Sequence, residues 1–238
     1  MASITTPAPN GIVLIDKPQG FTSHDAVARI RRLAGTRKVG HAGTLDPMAT
    51  GLLILGLGPS TRLLTFIVGL SKEYVATIRL GSSSTTDDAE GDLLGYAPQA
   101  QLDRVTDELI ADGIVPLTGE IEQVPSTVSA IKVGGKRAYA LARAGETVEL
   151  KARAVTIYAF EIQSINRGAD ESGNGFIDVE VRVECSSGTY IRALARDLGF
   201  KLGVGGHLTA LRRTRIGSFH ATDAHDLDKL EAAPELMS

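Results

Sequence analysis

The run Leu52-Leu53-Ile54-Leu55 limits this chain more than any other stretch. Consecutive apolar residues between Gly51 and Gly56 read as a buried strand, so whatever precedes them stands on a rigid support. What precedes them is Gly40-His41-Ala42-Gly43-Thr44-Leu45-Asp46-Pro47-Met48-Ala49-Thr50-Gly51, with one imidazole, one carboxylate and three glycines. Glycine lets a loop approach a ligand closely, and a carboxylate on such a loop can do chemistry. Asp46-Pro47 also has a plainer reading, because Asp at the first position of a type I turn with Pro next is ordinary turn chemistry.

Around this segment helix and strand patterns are mixed. Gly11 to Lys17 reads as a strand ended by Pro18-Gln19-Gly20, and Thr22-x-x-Asp25 as a capping box opening a helix that Gly35 ends. Thr61 to Val68 reads as a short helix. Lys72 to Leu80 is an alternating, half-buried strand with Tyr74, Ala76, Ile78 and Leu80 on one side. Ser82 to Asp92 is a polar loop without calcium-site spacing. An amphipathic helix is expected over Leu102 to Asp112, and a loop over Gly119 to Ser126. Then come a strand over Thr127 to Val133, a Gly134-Gly135 turn and a basic helix over Arg137 to Ala144. Ala154 to Ile165 and Phe176 to Cys185 read as a hairpin, Thr189 to Leu202 as a helix, Leu208 to Phe219 as a last strand, and His225 to Ala232 as a small helix. Without strict alternation of strand and helix, the chain is expected to be α+β, with a mixed, largely antiparallel sheet flanked by helices.

The 238 residues suffice for a full core. The single Cys185 excludes an internal disulfide and a cysteine zinc site, fits a reducing compartment, and sits at a buried strand position. No signal segment and no run of bilayer length is present, so a cytoplasmic protein is expected. Net charge is −3, yet the cations cluster: Arg29, Arg31, Arg32, Arg37 and Lys38; Lys132, Lys136, Arg137 and Arg143; and Arg192, Arg196, Lys201, Arg212, Arg213 and Arg215. Such clusters either converge on one positive face or form separate solvated helix faces.

Familiar catalytic signatures are missing: no Gly-x-Ser-x-Gly elbow, no Walker loop, no His-Glu-x-x-His and no dinucleotide fingerprint. What remains is the Asp46 loop, Tyr74, and Cys185-Ser186-Ser187-Gly188-Thr189-Tyr190-Ile191-Arg192, where a strand runs into a helix start. The free N–H groups and Arg192 there suit a negative partner such as Asp46; a structural ion pair is the other reading of Arg192.

Taken in order, Asp16-Lys17-Pro18-x-Gly20, Gly40-His41-x-Gly43-x-Leu45-Asp46-Pro47-x-Ala49-x-Gly51, Lys72-x-Tyr74, Ser129-Ala130-Ile131-Lys132-x-x-Gly135-Lys136-x-x-Tyr139, Cys185-x-x-Gly188-Thr189-Tyr190-Ile191-Arg192 and Leu211-Arg212-Arg213-Thr214 resemble the TruB family of tRNA pseudouridine synthases from about Asn10 to Phe219. The resemblance implies a pseudouridine synthase fold that converts uridine-55 of the tRNA T-arm loop to pseudouridine, without cofactor or metal. It implies catalytic roles for Asp46, Tyr74 and Arg192: Asp46 as nucleophile or base, Tyr74 stacked on the target base, and Arg192 holding Asp46 ionised. His41 would fill the space left by the flipped base. Leu211 would pack the pocket and Tyr190 would contact substrate. Lys132, Lys136, Arg137 and Arg143, on a thumb-like insertion over about residues 124–151, would grip phosphates, with Lys17, Arg37 and Lys38 as weaker candidates.

The domain reading is a disordered lead-in over residues 1–9, a catalytic domain over 10–220, and a short tail over 221–238 that is too small for the PUA domain common in the family. The expected enzyme is a monomer that needs tRNA and no protein partner. Two alternatives are a guide-RNA-dependent relative and a tRNA-binding or folding-assistance module whose activity is dispensable.

Overall fold

The computed structural model describes residues 9–126, 132–133, 136–137 and 151–237. The chain forms two compact units, Met1–Tyr74 with Arg212–Ser238, and Val75–Leu211. Both crossings fall inside strands, Lys72–Leu80 and Gly206–Ile216, which is why no linker composition marks them.

In the first unit the strand order is His225–Asp226, Gly11–Lys17, Thr50–Leu57, Gly206–Ile216. Gly11–Lys17 runs antiparallel to Thr50–Leu57 along its whole length, from Gly11 opposite Leu57 to Lys17 opposite Gly51. Along its other edge Thr50–Leu57 pairs antiparallel with Val39–His41 and parallel with Arg212 and Arg213. With both edges paired, Leu52, Leu53, Ile54, Leu55 and Leu57 are fully buried, as a continuous apolar run requires. Leu52 and Ile54 join Ile12, Leu14, Leu64, Ile67 and Ile216 in one core.

Helix Ser23–Leu33 begins as its sequence dictates. The Thr22 side chain accepts from Asp25 N, and the Asp25 carboxylate accepts from Thr22 N, a capping box worth about 1 kcal/mol. The last residues belong to this unit as well. Asp226 and His225 pair in parallel with Asp16 and Ile15, Met237 exchanges backbone bonds with Ile12, and Arg29 Nη2 donates to the carbonyls of Asp228 and Leu230.

In the second unit the order is Gly206–Ile216, Lys72–Leu80, Gly175–Cys185, Arg153–Ala169, Gly119–Gln123. The expected hairpin is present and longer than its hydrophobic pattern, Arg153–Ala169 against Gly175–Cys185, with two register shifts. Cys185 is buried on it. Helix Ile191–Leu202 buries Ile191, Leu194, Ala195 and Leu198 and ends at Gly203, whose φ of 72° closes the last turn. Together the pairings make the mixed, largely antiparallel sheet of an α+β fold. Among the described residues no helix is long and apolar enough to cross a membrane.

Five local expectations are corrected. The helix expected over Leu102 to Asp112 is two helices, Gln99–Leu102 and Asp107–Ile114. Thr106 accepts from Leu109 N and starts the second, so the helical spacing of Leu102, Val105, Leu109 and Ile110 spans a break. Gly119–Gln123, read as loop, is a strand paired with Arg153–Ile157. His225 to Ala232 holds a bridge and a 3-10 turn, Leu227–Lys229, in place of a helix, because its first residues pair with the sheet. The short helix expected from Thr61 is a 3-10 turn, Gly58–Arg62, followed by helix Leu64–Val68. In the insertion, Lys132–Val133 pairs antiparallel with Lys136–Arg137, so Arg137 lies on a strand. The remainder of the strand and helix expected there, and residues 1–8 of the lead-in, lie outside the described residues.

Candidate active site

Asp46 occupies the first position of a tight turn: Ala49 N donates to Asp46 O at 3.1 Å, with Pro47 and Met48 between them. The turn reading and the catalytic reading of Asp-Pro are therefore compatible. Both neighbours of Asp46 are held by buried polar groups. Ser23 Oγ accepts from Leu45 N at 2.8 Å and donates to Leu45 O at 3.2 Å. Pro47 O accepts from Gly20 N at 2.8 Å and from Lys17 Nζ at 3.5 Å. Upstream, fully buried Arg213 donates from Nη2 to Gly43 O, from Nη1 to Thr44 O, and from Nε to Leu52 O. A half-buried carboxylate on a loop fixed at Gly43, Thr44, Leu45 and Pro47 is preorganised, the condition for a side chain that must meet a reacting atom at defined geometry.

Lys17 changes role. Its ammonium is fully enclosed and donates to Pro18 O at 2.9 Å, Phe21 O at 2.6 Å and Pro47 O, so it braces the Asp46 turn and offers nothing to a phosphate. The polar groups Ser23, Lys17 and Arg213 carried no distinctive spacing for this task.

His41 closes strand Val39–His41, and its ring meets that of His24 edge to face, with centroids 5.6 Å apart. Burial holds its imidazole below the ordinary histidine range; the charges of His24 and Arg213 push the same way, and the Gly43 backbone partly offsets them. Among the described residues its Nδ1 is enclosed with no hydrogen-bond partner. Tyr74 lies on the buried side of Lys72–Leu80. Lys72, two residues earlier in the same motif, donates to Val68 O and Leu70 O, both at 2.6 Å, and so caps helix Leu64–Val68.

The second unit holds Tyr190, Arg192 and Leu211. Arg192 is buried, and its Nη1 donates to Asp88 Oδ2 at 3.1 Å and to Thr86 O. The ion-pair reading of Arg192 is thus filled by a carboxylate that sequence reasoning left in an acidic loop. Tyr190 caps the helix start through its backbone: Tyr190 N donates to Gln123 Oε1 at 2.8 Å, and Gln123 Nε2 to Tyr190 O at 3.0 Å. Leu211 is buried in its strand. Among the described residues no group of three or more His, Cys, Asp or Glu is placed to hold a metal ion.

The third basic cluster is not a free positive face. Besides Arg192 and Arg213, Arg196 pairs with Asp87 and Asp197, Arg212 with Asp16, and Arg215 with Glu73. In the first cluster Arg29 and Arg31 bond backbone carbonyls, while Arg32, Arg37 and Lys38 are exposed. The side chains of Lys132, Lys136 and Arg137, and all of Arg143, lie outside the described residues.

The braced Asp-Pro turn, His41 on the strand before it and Arg192 at a helix start lie in sequence that known family profiles match from residue 31 onward. The family profile "TruB family pseudouridylate synthase (N terminal domain)" covers residues 31–191, and "tRNA pseudouridylate synthase B C-terminal domain" covers residues 192–238. The chain belongs to the TruB family. A tRNA pseudouridine synthase B of Leifsonia xyli subsp. xyli is 66% identical over 228 residues, 96% of this chain and 74% of that relative. One of Thermobifida fusca is 60% identical over 228 residues, 96% of this chain and 76% of that relative. Among solved structures, a Cbf5-Nop10-Gar1 complex aligns with TM-score 0.64 and 33% identity over 88% of this chain and 50% of that one. An H/ACA RNP bound to a substrate RNA containing 2'-deoxyuridine aligns with TM-score 0.65 and 29% identity over 92% of this chain and 52% of that one. The TruB chain described here thus spans about half the length of those two solved chains.

Proposed function

We propose that this TruB chain is a tRNA pseudouridine synthase that isomerises uridine-55 of the T-arm loop. It acts in the cytoplasm as a monomer, without a guide RNA or a protein partner. The observation that carries the reading is the Asp46 turn, whose two flanking residues are each fixed by buried side chains from distant strands and helices.

The chemistry suits a carboxylate. Isomerisation breaks the N-glycosidic bond, turns the base and rejoins it through carbon, so no electrons or groups are gained or lost. Asp46 starts the reaction as nucleophile or base. The motif positions of Tyr74 and Arg192 assign them the remaining catalytic roles. A base stacked within a loop must be extruded at a cost on the order of a few kcal/mol, and a neutral imidazole at His41 is suited to occupying the vacated stack. Lys132, Lys136, Arg137 and Arg143 supply phosphate contacts on the insertion.

The guide-dependent reading draws support from the likeness to the Cbf5 and H/ACA structures, at 29% to 33% identity. The far higher identity to tRNA pseudouridine synthase B relatives favours the stand-alone enzyme. Incubating the parent protein and Asp46→Asn with a bare T-arm stem-loop, followed by nucleoside analysis, separates the cases. The parent is expected to form pseudouridine at the target position, and the variant none while still binding the RNA. Full activity in Asp46→Asn would sink the catalytic assignment, and a parent active only with an added guide would favour the relative.

A further inference from the structure

We propose that Gln123 is a positioning residue for the reaction, fixing the Tyr190 peptide and through it the helix start that carries Arg192. The proposal rests on the functional reading of Tyr190 and Arg192 given above.

Gln123 is the last residue of strand Gly119–Gln123, and its side chain is 2% exposed. Its amide makes both bonds that the backbone N–H and C=O of one residue can make with one carboxamide. Nε2 donates to Tyr190 O at 3.0 Å, and Oε1 accepts from Tyr190 N at 2.8 Å. Helix Ile191–Leu202 has no side-chain cap of its own at Tyr190. The usual local Ser, Thr, Asp or Asn is replaced by an amide from 67 positions earlier in the chain. Tyr190 O also accepts the first helical bond, from Ala193 N at 3.1 Å, so the Gln123 contact sets where that helix begins. Arg192 is its second residue. Val124 O, one residue beyond Gln123, accepts from Arg196 Nη2 at 2.8 Å, tying the same segment one turn further along the helix.

The chemistry of the contact admits few substitutes. An ionised Glu accepts from Tyr190 N but meets Tyr190 O with an acceptor. Its protonated form regains one donor and one acceptor, as in the amide. Met keeps the length and apolar stem and makes neither bond.

The test compares the parent with Gln123→Met and Gln123→Glu on a T-arm stem-loop, each read on its folded fraction. In Gln123→Met kcat is expected to fall about tenfold or more while KM moves by less than about threefold, the pattern of misplaced catalytic geometry. Gln123→Glu, inactive near neutral pH, regains activity relative to the parent as pH falls and its carboxyl protonates. A contact that serves stability alone leaves kcat of folded Gln123→Glu at the parental level, so this arm decides even where Gln123→Met folds poorly. Parental kcat in Gln123→Met or no recovery of Gln123→Glu would overturn the proposal. A parent inactive on the stem-loop overturns the functional reading, and the proposal with it; an active parent with unaffected Gln123 variants removes this proposal alone.

Discussion

Asp88 Oδ2 lies 3.1 Å from Arg192 Nη1, with side chains 2% and 5% exposed. Asp88 Oδ1 also accepts from Thr86 Oγ1 and from Glu90 N, which locks the loop around Asp87, the only described non-glycine residue with positive φ, at 61°. Removing one partner of a buried pair costs about 3–5 kcal/mol. At roughly 2–4 °C per kcal/mol for a protein of this size, Asp88→Asn should lower Tm by about 6–20 °C. Calorimetry checks this; an unchanged Tm would mean that the Arg192 charge is balanced elsewhere.

Gly51 closes the Asp46 loop with φ of 99°, and a Cβ there would fall 2.3 Å from Arg213 O. Gly51→Ala therefore meets both backbone strain and a backbone collision, and should cost about 3 kcal/mol or more. Gly20 has φ of 83° but open space around it, so Gly20→Ala carries only the strain, about 1–2 kcal/mol. Urea midpoints of the two variants should rank in that order. Equal midpoints would show that the strand yields to the methyl group.

Arg213 reaches three carbonyls on two segments from three separate nitrogens of its planar fork, a spread that a lysine at this position does not match. Arg213→Lys should lose about 2–4 kcal/mol of stability and, as the Asp46 loop shifts, about tenfold or more in kcat. The adjacent Arg212→Lys is the control: its pair with Asp16 is half exposed, and its loss should cost less than about 1 kcal/mol. Denaturant titration and single-turnover rates on T-arm RNA read both quantities, and matching losses in the two variants would refute the bracing role.

His41 titrates below its unfolded value of about 6.5 because burial disfavours the imidazolium. Between the folded and unfolded values the unfolded chain binds more protons, so stability rises with pH across that window. The contribution is complete above about 6.5 and is lost as pH falls through the folded value. Asp25 and Asp226 are also held below the carboxylate range, by Thr22 and by Lys229, and add acid sensitivity of their own, so the comparison must be with a variant. Relative to the parent, His41→Gln should gain stability between about pH 7.5 and pH 5. Parallel stability curves would rule out burial of a neutral imidazole.

The elements with strong local patterns were legible. Gly11–Lys17, the Thr22 capping box, Lys72–Leu80 and helix Ile191–Leu202 follow from period, caps and glycine placement. The misses share a cause: a tertiary partner overruled local pattern. Gly119–Gln123 became a strand because Arg153–Ile157 offered an edge, and His225–Asp226 avoided helix because Gly11–Lys17 did the same. At the site, residues with distinctive chemistry on a distinctive loop were visible, Asp46 above all. Their supports were not, because Ser23, Lys17, Arg213 and Gln123 act through hydrogen bonds to distant backbone, whose partners leave no mark in the local sequence. Lys17 shows the limit most plainly, since a lysine in a glycine-rich motif suggests an anion until its burial is known.

The two ends of the chain meet in one unit, where Met237 bonds to Ile12 and Arg213 holds the loop that presents Asp46. On a ribosome adding about 5–20 residues per second, the carboxylate emerges on the order of ten seconds or more before the arginine that braces it. Asp46 is thus among the first parts of the site to be synthesised and among the last to be held in place. A nascent chain therefore carries a loose loop from the synthesis of Asp46 until Arg213 has left the exit tunnel.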